Sequence, residues 1–345
     1  VPDSCLNEFC NELSNHKNIQ NIVAANEGSA VSLGIGYNLA TSKIPCIYMQ
    51  NSGLGNATDP LTNLISKTIY DLPIILLIGW RGAPSIKDEA QHDIQGKVLL
   101  DSLKLFQIKN IVMESERDLN RASKLIDYAK KNSARVALIF KPKTLTKIKH
   151  SHKKNKNKIS REEFILGLLK AISKKTKIIS SVGFNSRELF FLREREKIKN
   201  GKDFLMVGGM GHTAMTALSM SKFSRNKIIC LDGDGSFIMH MGALSILNNF
   251  KAKNFKYILI DNEAHESIGM QPIFINKMNF KNLSKSFGFK NYYLIKNKKD
   301  INTKIKNFLK NDGPSFLHVK VKVGTIQNLP RPKNFLKIKK NFLKI

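Results

Sequence analysis

Two short runs in the second half of the chain carry groups suited to an ion and a phosphate. Gly233-Asp234-Gly235-Ser236 follows the apolar run Lys227–Asp232, and Asp261-Asn262 ends the run Phe255–Ile260. An amphipathic segment joins them, and residues 236–260, an interval of 25, separate Gly235 from Asp261. This is the pattern of a strand–helix–strand unit with oxygen ligands at both carboxyl ends, where open parallel sheets bind ligands. Glycines let the backbone approach a phosphate. An Asp carboxylate and an Asn amide oxygen suit Mg²⁺, a hard ion that shares its shell with phosphate oxygens. A lone Gly-Asp-Gly would read as a turn; with strand-like runs before both elements, the residues read as a magnesium–diphosphate site.

The first half offers partners for such a site. Glu27 stands where a strand is expected to end and a helix to begin, a position at which the helix dipole favours a carboxylate. The stretch Met49–Ala57 contains Gln50, Ser52 and Gly53, glycines and short polar side chains that leave backbone donors free for a ligand. Gly79-Trp80-Arg81-Gly82 ends a third run and Asp88-Glu89-Ala90-Gln91-His92-Asp93 follows it. Arg81 offers a planar fork for an anionic group, and His92 a hydrogen bond or a proton. In the second half, Gly209-Met210-Gly211-His212-Thr213-Ala214 fits the G-x-G-x-x-A of dinucleotide-binding turns, which would make the chain a nicotinamide-dependent oxidoreductase. That alternative leaves Gly233–Ser236, Asn262 and Glu27 without a role.

Alternating apolar runs and amphipathic segments position these residues. Strands are predicted at Asn21–Ala25, Pro45–Met49, Pro73–Gly79, Ile108–Met113 and Arg135–Phe140, with helices over Gly28–Ala40, Ala57–Tyr70 and Arg117–Lys131. A Lys/Asn-rich stretch interrupts the pattern, which restarts with strands at Lys177–Val182, Phe204–Val207, Lys227–Asp232, Phe255–Ile260 and Phe316–Val323. Alternating strands and helices predict an α/β protein with two doubly wound parallel-sheet domains. Their expected limits are 1–142 and 161–326, joined by a basic linker over 143–160 and followed by a basic tail over 327–345, either a short amphipathic helix or mobile chain.

The formal charge of +30 raises the possibility of nucleic-acid binding. Lys, Asn and Ile are frequent throughout, however, and the densest basic runs, Lys141–Lys158 and Lys333–Lys344, fall in the linker and the tail. No aromatic-interleaved platform accompanies them, so a solvated basic surface that attracts small anions is the better reading. A non-catalytic basic binding protein remains the alternative from another class. Apolar runs such as Leu72–Gly79 are far below a membrane span, and no secretory leader is visible. Cys5, Cys10, Cys46 and Cys230 lack metal spacing and read as reduced cytoplasmic thiols, with Cys46 and Cys230 packed in strands.

The GDG–Asn pattern resembles the signature of thiamine-diphosphate enzymes, and further segments narrow the likeness. They are Val1-Pro2-Asp3-Ser4, Asn26-Glu27-Gly28, Met49–Asn56, Gly79–Gly82, Asp88-Glu89 with Gln91-His92, Gly209–His212, and Asp232–Gly235 with Met239–Gly242. Together these resemble the phosphonopyruvate decarboxylase family, with sulfopyruvate decarboxylases as near relatives, over residues 1 to about 330. The resemblance implies two thiamine-diphosphate-binding domains, for the pyrimidine and for the diphosphate. It also implies non-oxidative decarboxylation of 3-phosphonopyruvate to phosphonoacetaldehyde and CO₂ in phosphonate biosynthesis. Sulfopyruvate or another small anionic 2-oxoacid is the alternative substrate.

The resemblance further implies that Glu27 hydrogen-bonds N1′ of the aminopyrimidine. Asp234, Asn262 and the carbonyl of Ala264 would hold Mg²⁺, and Gly233, Gly235 and Ser236 the diphosphate. Gln50, Ser52, Gly53, Gly209, Gly211 and His212 would line the cofactor cleft. Arg81 would take the phosphonate, His92 would transfer a proton or bind substrate, and His265 and Glu266 would also face substrate. A dimer or tetramer with active sites between subunits is implied as well. Where the family often has an Arg-containing Gly-Ser-Arg segment, this chain reads Gly324-Thr325-Ile326.

Overall fold

The computed structural model describes residues 1–16, 18–148, 155–250 and 252–343. The chain divides into two compact units. One takes in Val1–Ser151 with Ile268–Gln271, the other His152–Ser267 with Pro272–Ile345.

The first unit is built on four parallel strands: β1 (Cys46–Gln50), β2 (Ile74–Gly79), β3 (Lys109–Met113) and β4 (Arg135–Phe140), in the order β1-β2-β4-β3. The central strands read Ile-Ile-Leu-Leu-Ile-Gly and Arg-Val-Ala-Leu-Ile-Phe, the near-continuous apolar sequence expected where both sheet faces are covered. Side-chain alternation divides the core. Ile47, Met49, Leu76, Ile78, Ala137 and Ile139 pack on one face, and Tyr48, Leu77 and Leu138 on the other.

The second unit has six parallel strands: β5 (Lys177–Ser180), β6 (Lys202–Leu205), β7 (Ile228–Gly233), β8 (Phe255–Asp261), β9 (Asn291–Ile295) and β10 (Ser315–Lys320). Their order is β9-β10-β8-β7-β5-β6. Ile229, Leu231, Ile258, Ile260, Leu317 and Val319 form one face; Ile228, Cys230, Tyr257, Leu259 and Phe316 form the other. The chain runs outward in opposite directions from the β5/β7 pair, toward β6 on one side and β8 on the other. That reversal is the topological switch point, at whose carboxyl ends ligands bind in such sheets.

Several local expectations change. Asn21–Ala25 forms no strand: Ile22 is exposed, and the segment's recorded link to β1 is the Tyr48 hydroxyl donating to Asn21 Oδ1 at 2.9 Å. The Ala57–Tyr70 helix is instead Leu54–Asp59 followed by a wide turn over Pro60–Leu64. Pro60, which lacks an N–H, sits where one form gives way to the other. Cys46 is exposed on β1, whereas Cys230 is fully buried.

Part of the expected linker, residues 149–154, lies outside the described residues. Asn155 and Asn157 donate to the carbonyl of Val321, Ile159 bridges to Val321, and Ser160 caps the helix Arg161–Ala171, so this end of the segment is bonded into the second unit. In the tail, Phe335–Leu343 is helical and buries Phe342 beside Phe204 with ring centroids 5.5 Å apart; residues 344–345 lie outside the described set.

Candidate cofactor and metal site

In the first unit, Asn26 ends an extended stretch and caps the helix Glu27–Thr41, its Oδ1 accepting from Ser29 N at 2.9 Å. Glu27 is therefore the first helical residue, and it is buried. Its Oε2 accepts from Asn56 Nδ2 at 2.7 Å, and its carboxylate lies directly over Gly53. A Cβ on Gly53 would stand 2.5 Å from Glu27 Cγ and 2.6 Å from Oε1, so only glycine admits the carboxylate there. Gln50 donates to Ser52 Oγ at 2.6 Å on the same turn. Glu27, Gln50, Ser52 and Gly53 thus converge at the carboxyl end of β1. Sequence reading passed over Asn51, which is buried on this turn: its amide donates to the carbonyls of Arg81 and Gln95 and accepts from Arg81 N, joining the turn to the loop after β2.

Arg81 and His92 also come together, but on a residue that carried no assigned role. Asp88 accepts from Arg81 Nε at 2.7 Å and from Arg81 Nη2, from the backbone N–H of Gly82 and Glu89, and contacts His92 Nδ1 at 3.0 Å. Arg81 Nη1 donates to Ser4 Oγ at 2.8 Å. The Arg81 fork thus closes on Asp88, which fixes its orientation after the end of β2. Burial pushes the Asp88 carboxyl upward, yet the bonds from Arg81, His92 and the backbone outweigh it and hold the group well below its usual range. Burial lowers His92 below the ordinary histidine value, with the Asp88 bond opposing.

In the second unit, Asp234 follows β7 and is buried. Its Oδ2 accepts from the backbone N–H of Asn262 at 3.0 Å and Glu263 at 2.7 Å, and its Oδ1 from Gly235 N at 2.8 Å. One carboxylate thus ties the carboxyl end of β7 to that of β8. Ser236 Oγ accepts from Gly211 N at 3.1 Å, fastening the Gly209–His212 turn to the same place. Gly209 and Gly211 have φ of +65° and +88°, backbone that favours glycine, and Gly211 lies against His240, which stacks on His212 at 4.6 Å. Gly233 faces Ser181 and Asn185 beyond the end of β5, so the switch point places two buried polar side chains at the loop; strand patterning alone gave no signal for them.

Asn262 is buried; its Nδ2 donates to Glu266 Oε2 at 2.8 Å, and its Oδ1 accepts from Ala264 N at 3.2 Å. Glu266 turns to Asn262, Arg161 and Gly324, and His265 is buried against Gly235, where burial lowers its pKa to about 4.

These residues fit a divalent cation and a diphosphate. Burial first, and the Asp261 charge second, raise the Asp234 carboxyl to about 7 against its backbone donors. Among the described residues no cationic side chain pairs with it, so a cation is the missing partner for a buried anion. One carboxylate, one amide oxygen and a backbone carbonyl form an oxygen set suited to Mg²⁺. Among the described residues there is no cluster of His, Cys, Asp and Glu that would favour another metal. Beside them Gly208 is exposed with open space around it, leaving bare backbone for a phosphate.

Fold and site together define an α/β cofactor enzyme with diphosphate-binding chemistry at its second sheet. Residues 1–105 match the thiamine pyrophosphate enzyme N-terminal TPP binding domain, and residues 189–319 the C-terminal TPP binding domain. The chain belongs to the thiamine pyrophosphate enzyme family, among its decarboxylases, and its cofactor is thiamine diphosphate. It is 26% identical to phosphonopyruvate decarboxylase of Streptomyces hygroscopicus over 96% of this chain and 86% of that one. It is 31% identical to the sulfopyruvate decarboxylase β subunit of Methanothermobacter thermautotrophicus, over 43% of this chain and 74% of that one. To the α subunit of Methanocaldococcus jannaschii it is 33% identical, over 41% of this chain and 81% of that one. Among the described residues no helix is long and apolar enough to cross a membrane.

Proposed function

We propose that this protein is a Mg²⁺-dependent decarboxylase of 3-phosphonopyruvate, releasing CO₂ and phosphonoacetaldehyde for phosphonate biosynthesis. When bound, thiamine diphosphate supplies the electron sink for loss of CO₂. Asp234, the Asn262 amide oxygen and the Ala264 carbonyl hold the ion. Gly233, Gly235, Ser236 and the Gly209–His212 turn hold the diphosphate. Glu27 takes the aminopyrimidine nitrogen, and the short path from Asn56 to Gly53 keeps its carboxylate from swinging away. Arg81 and His92, both fixed on Asp88, meet the anionic end of the substrate as a pre-oriented pair rather than as a free fork. The protein self-associates, at least as a dimer, and acts in the cytoplasm.

The observation that carries the cofactor half is the buried carboxylate of Asp234, bonded to the backbone of Asn262 and paired with no cationic side chain among the described residues. The substrate half is supported by alignment to phosphonopyruvate decarboxylases over 96% of the chain. Sulfopyruvate is the second reading, favoured by the higher identity to separate β and α subunits, 31% over 43% of the chain and 33% over 41%. A panel of phosphonopyruvate, sulfopyruvate and pyruvate with thiamine diphosphate and Mg²⁺, followed by CO₂ and aldehyde release, separates them. The phosphonate is expected to give the highest kcat/KM; turnover of pyruvate alone would sink the substrate assignment and leave the cofactor assignment standing.

A further inference from the structure

Behind Asn262 lies a buried ionic network that nothing in the cofactor site explains. Arg161 Nη1 pairs with Glu188 Oε1 at 3.1 Å and Nη2 with Glu266 Oε2 at 2.5 Å, and all three side chains are at most 7% exposed. Glu266 Oε2 also accepts from Asn262 Nδ2 at 2.8 Å, while its Oε1 accepts from Gly324 N at 2.5 Å. Thr325 Oγ1 and Ile326 N donate to Glu188 Oε1 at 2.6 and 3.4 Å, so the Gly324-Thr325-Ile326 segment closes over the network. Two carboxylates against one guanidinium, with Arg161 Nε and Glu188 Oε2 lacking hydrogen-bond partners among the described residues, are a poor choice for stability alone. Apolar residues of similar volume would serve the core as well or better.

The geometry points to a different purpose: we propose that Glu266 is a positioning residue that fixes the Asn262 amide with its oxygen available to a cation. This rests on the reading that Asn262 ligates Mg²⁺. The two ends of an asparagine amide are nearly the same shape, and a flipped amide would present N–H groups that repel a cation. A carboxylate only accepts hydrogen bonds, so Glu266 can pair with Nδ2 and never with Oδ1. Arg161 and Gly324 hold Glu266 in turn, and Glu188 holds Arg161. Outer partners of this kind orient metal ligands and commonly contribute about 10–100-fold in affinity.

The test is Mg²⁺ binding to the full-length protein in the presence of thiamine diphosphate, measured by titration calorimetry beside thermal unfolding. Glu266→Gln is expected to weaken Mg²⁺ by about 10–100-fold. Asn262→Asp should also weaken it, because its carboxylate would lie against that of Glu266. The double variant should regain most of the loss: the glutamine amide can donate to one aspartate oxygen and leave the other for the ion. Should Glu266→Gln alone not fold, the double variant against Asn262→Asp reads the same coupling. A purely structural role would lower the unfolding midpoint further in the double variant without restoring Mg²⁺. Losses that add, or unchanged Mg²⁺ affinity in Glu266→Gln where Asp234→Ala abolishes it, would overturn the proposal alone. Normal Mg²⁺ binding by Asp234→Ala would overturn the metal reading beneath it.

Discussion

Asp88 and Asp234 each follow the carboxyl end of a parallel strand, β2 in the first unit and β7 in the second, yet their surroundings are opposite. Asp88 receives a guanidinium fork, a histidine and two backbone donors. Asp234 receives three backbone N–H groups and no cationic side chain among the described residues. The first carboxyl is accordingly held below its usual range and the second pushed up to about 7, burial opposing the first shift and causing the second. A carboxylate whose charge is already matched is architecture, here the post on which Arg81 and His92 are set. A buried carboxylate whose charge is unmatched is half of a binding site. Asp261 repeats the lesson beside Asp234: it lies at the end of β8 but is paired with His318 and Lys320 at 2.7 Å each, which makes it structural.

Removing the unmatched charge should have the largest effect. Asp234→Ala is expected to weaken Mg²⁺-dependent thiamine-diphosphate binding by at least about 100-fold, beyond what outer partners contribute. Calorimetric titration reads this directly, and a loss below tenfold would break the contrast. Asp88→Asn should do the reverse, leaving Mg²⁺ affinity unchanged while destabilising the fold by about 3 kcal/mol near neutral pH, because Arg81 loses its counter-charge in a largely buried place. The sign with pH follows from the depressed carboxyl. Its contribution is present above the unfolded Asp value of about 4 and is lost as pH falls toward the lower folded value. Denaturant curves of wild type and Asp88→Asn should therefore converge below about pH 4; a gap that widened on acidification would refute the assignment.

The α/β class, both sheets and the placing of Gly233–Ser236 and Asn262 at strand ends were legible because each depends on local pattern. Uninterrupted apolar runs such as Ile74–Ile78 mark doubly covered strands, and Gly233–Ser236 and Asn262 each follow such a run at the interval that sets them apart from ordinary turns. What sequence missed depends on contacts far apart along the chain. Asp88 stands in plain view as an acidic residue, but its pairing with Arg81 needs the loop after β2 to fold back. Arg161 and Glu188 are ordinary surface types with no motif, and only the fold brings them to Glu266, four residues beyond Asn262. Ser181 and Asn185 reach Gly233 because β5 and β7 are neighbours, which the strand order decides and the periodicity does not. The expected strand at Asn21–Ala25 failed for the converse reason: local β propensity without a ladder partner yields extended chain.

Glu27 makes a third case between the two aspartates, a buried carboxylate with one recorded amide donor and a glycine beneath it. If the carboxylate is held there by shape as much as by charge, Gly53→Ala should press its methyl group into Glu27. Overpacking of this kind typically costs about 1–3 kcal/mol. The same substitution in a Glu27→Ala background should be nearly silent, since the clashing atoms are gone. Contacting residues reveal themselves by such non-additivity, commonly about 0.5–3 kcal/mol. Thermal or denaturant unfolding of the two single variants and the double variant measures it. Equal costs in both backgrounds would mean that Glu27 already points elsewhere, and would remove the carboxylate from the place at which it is proposed to meet the cofactor.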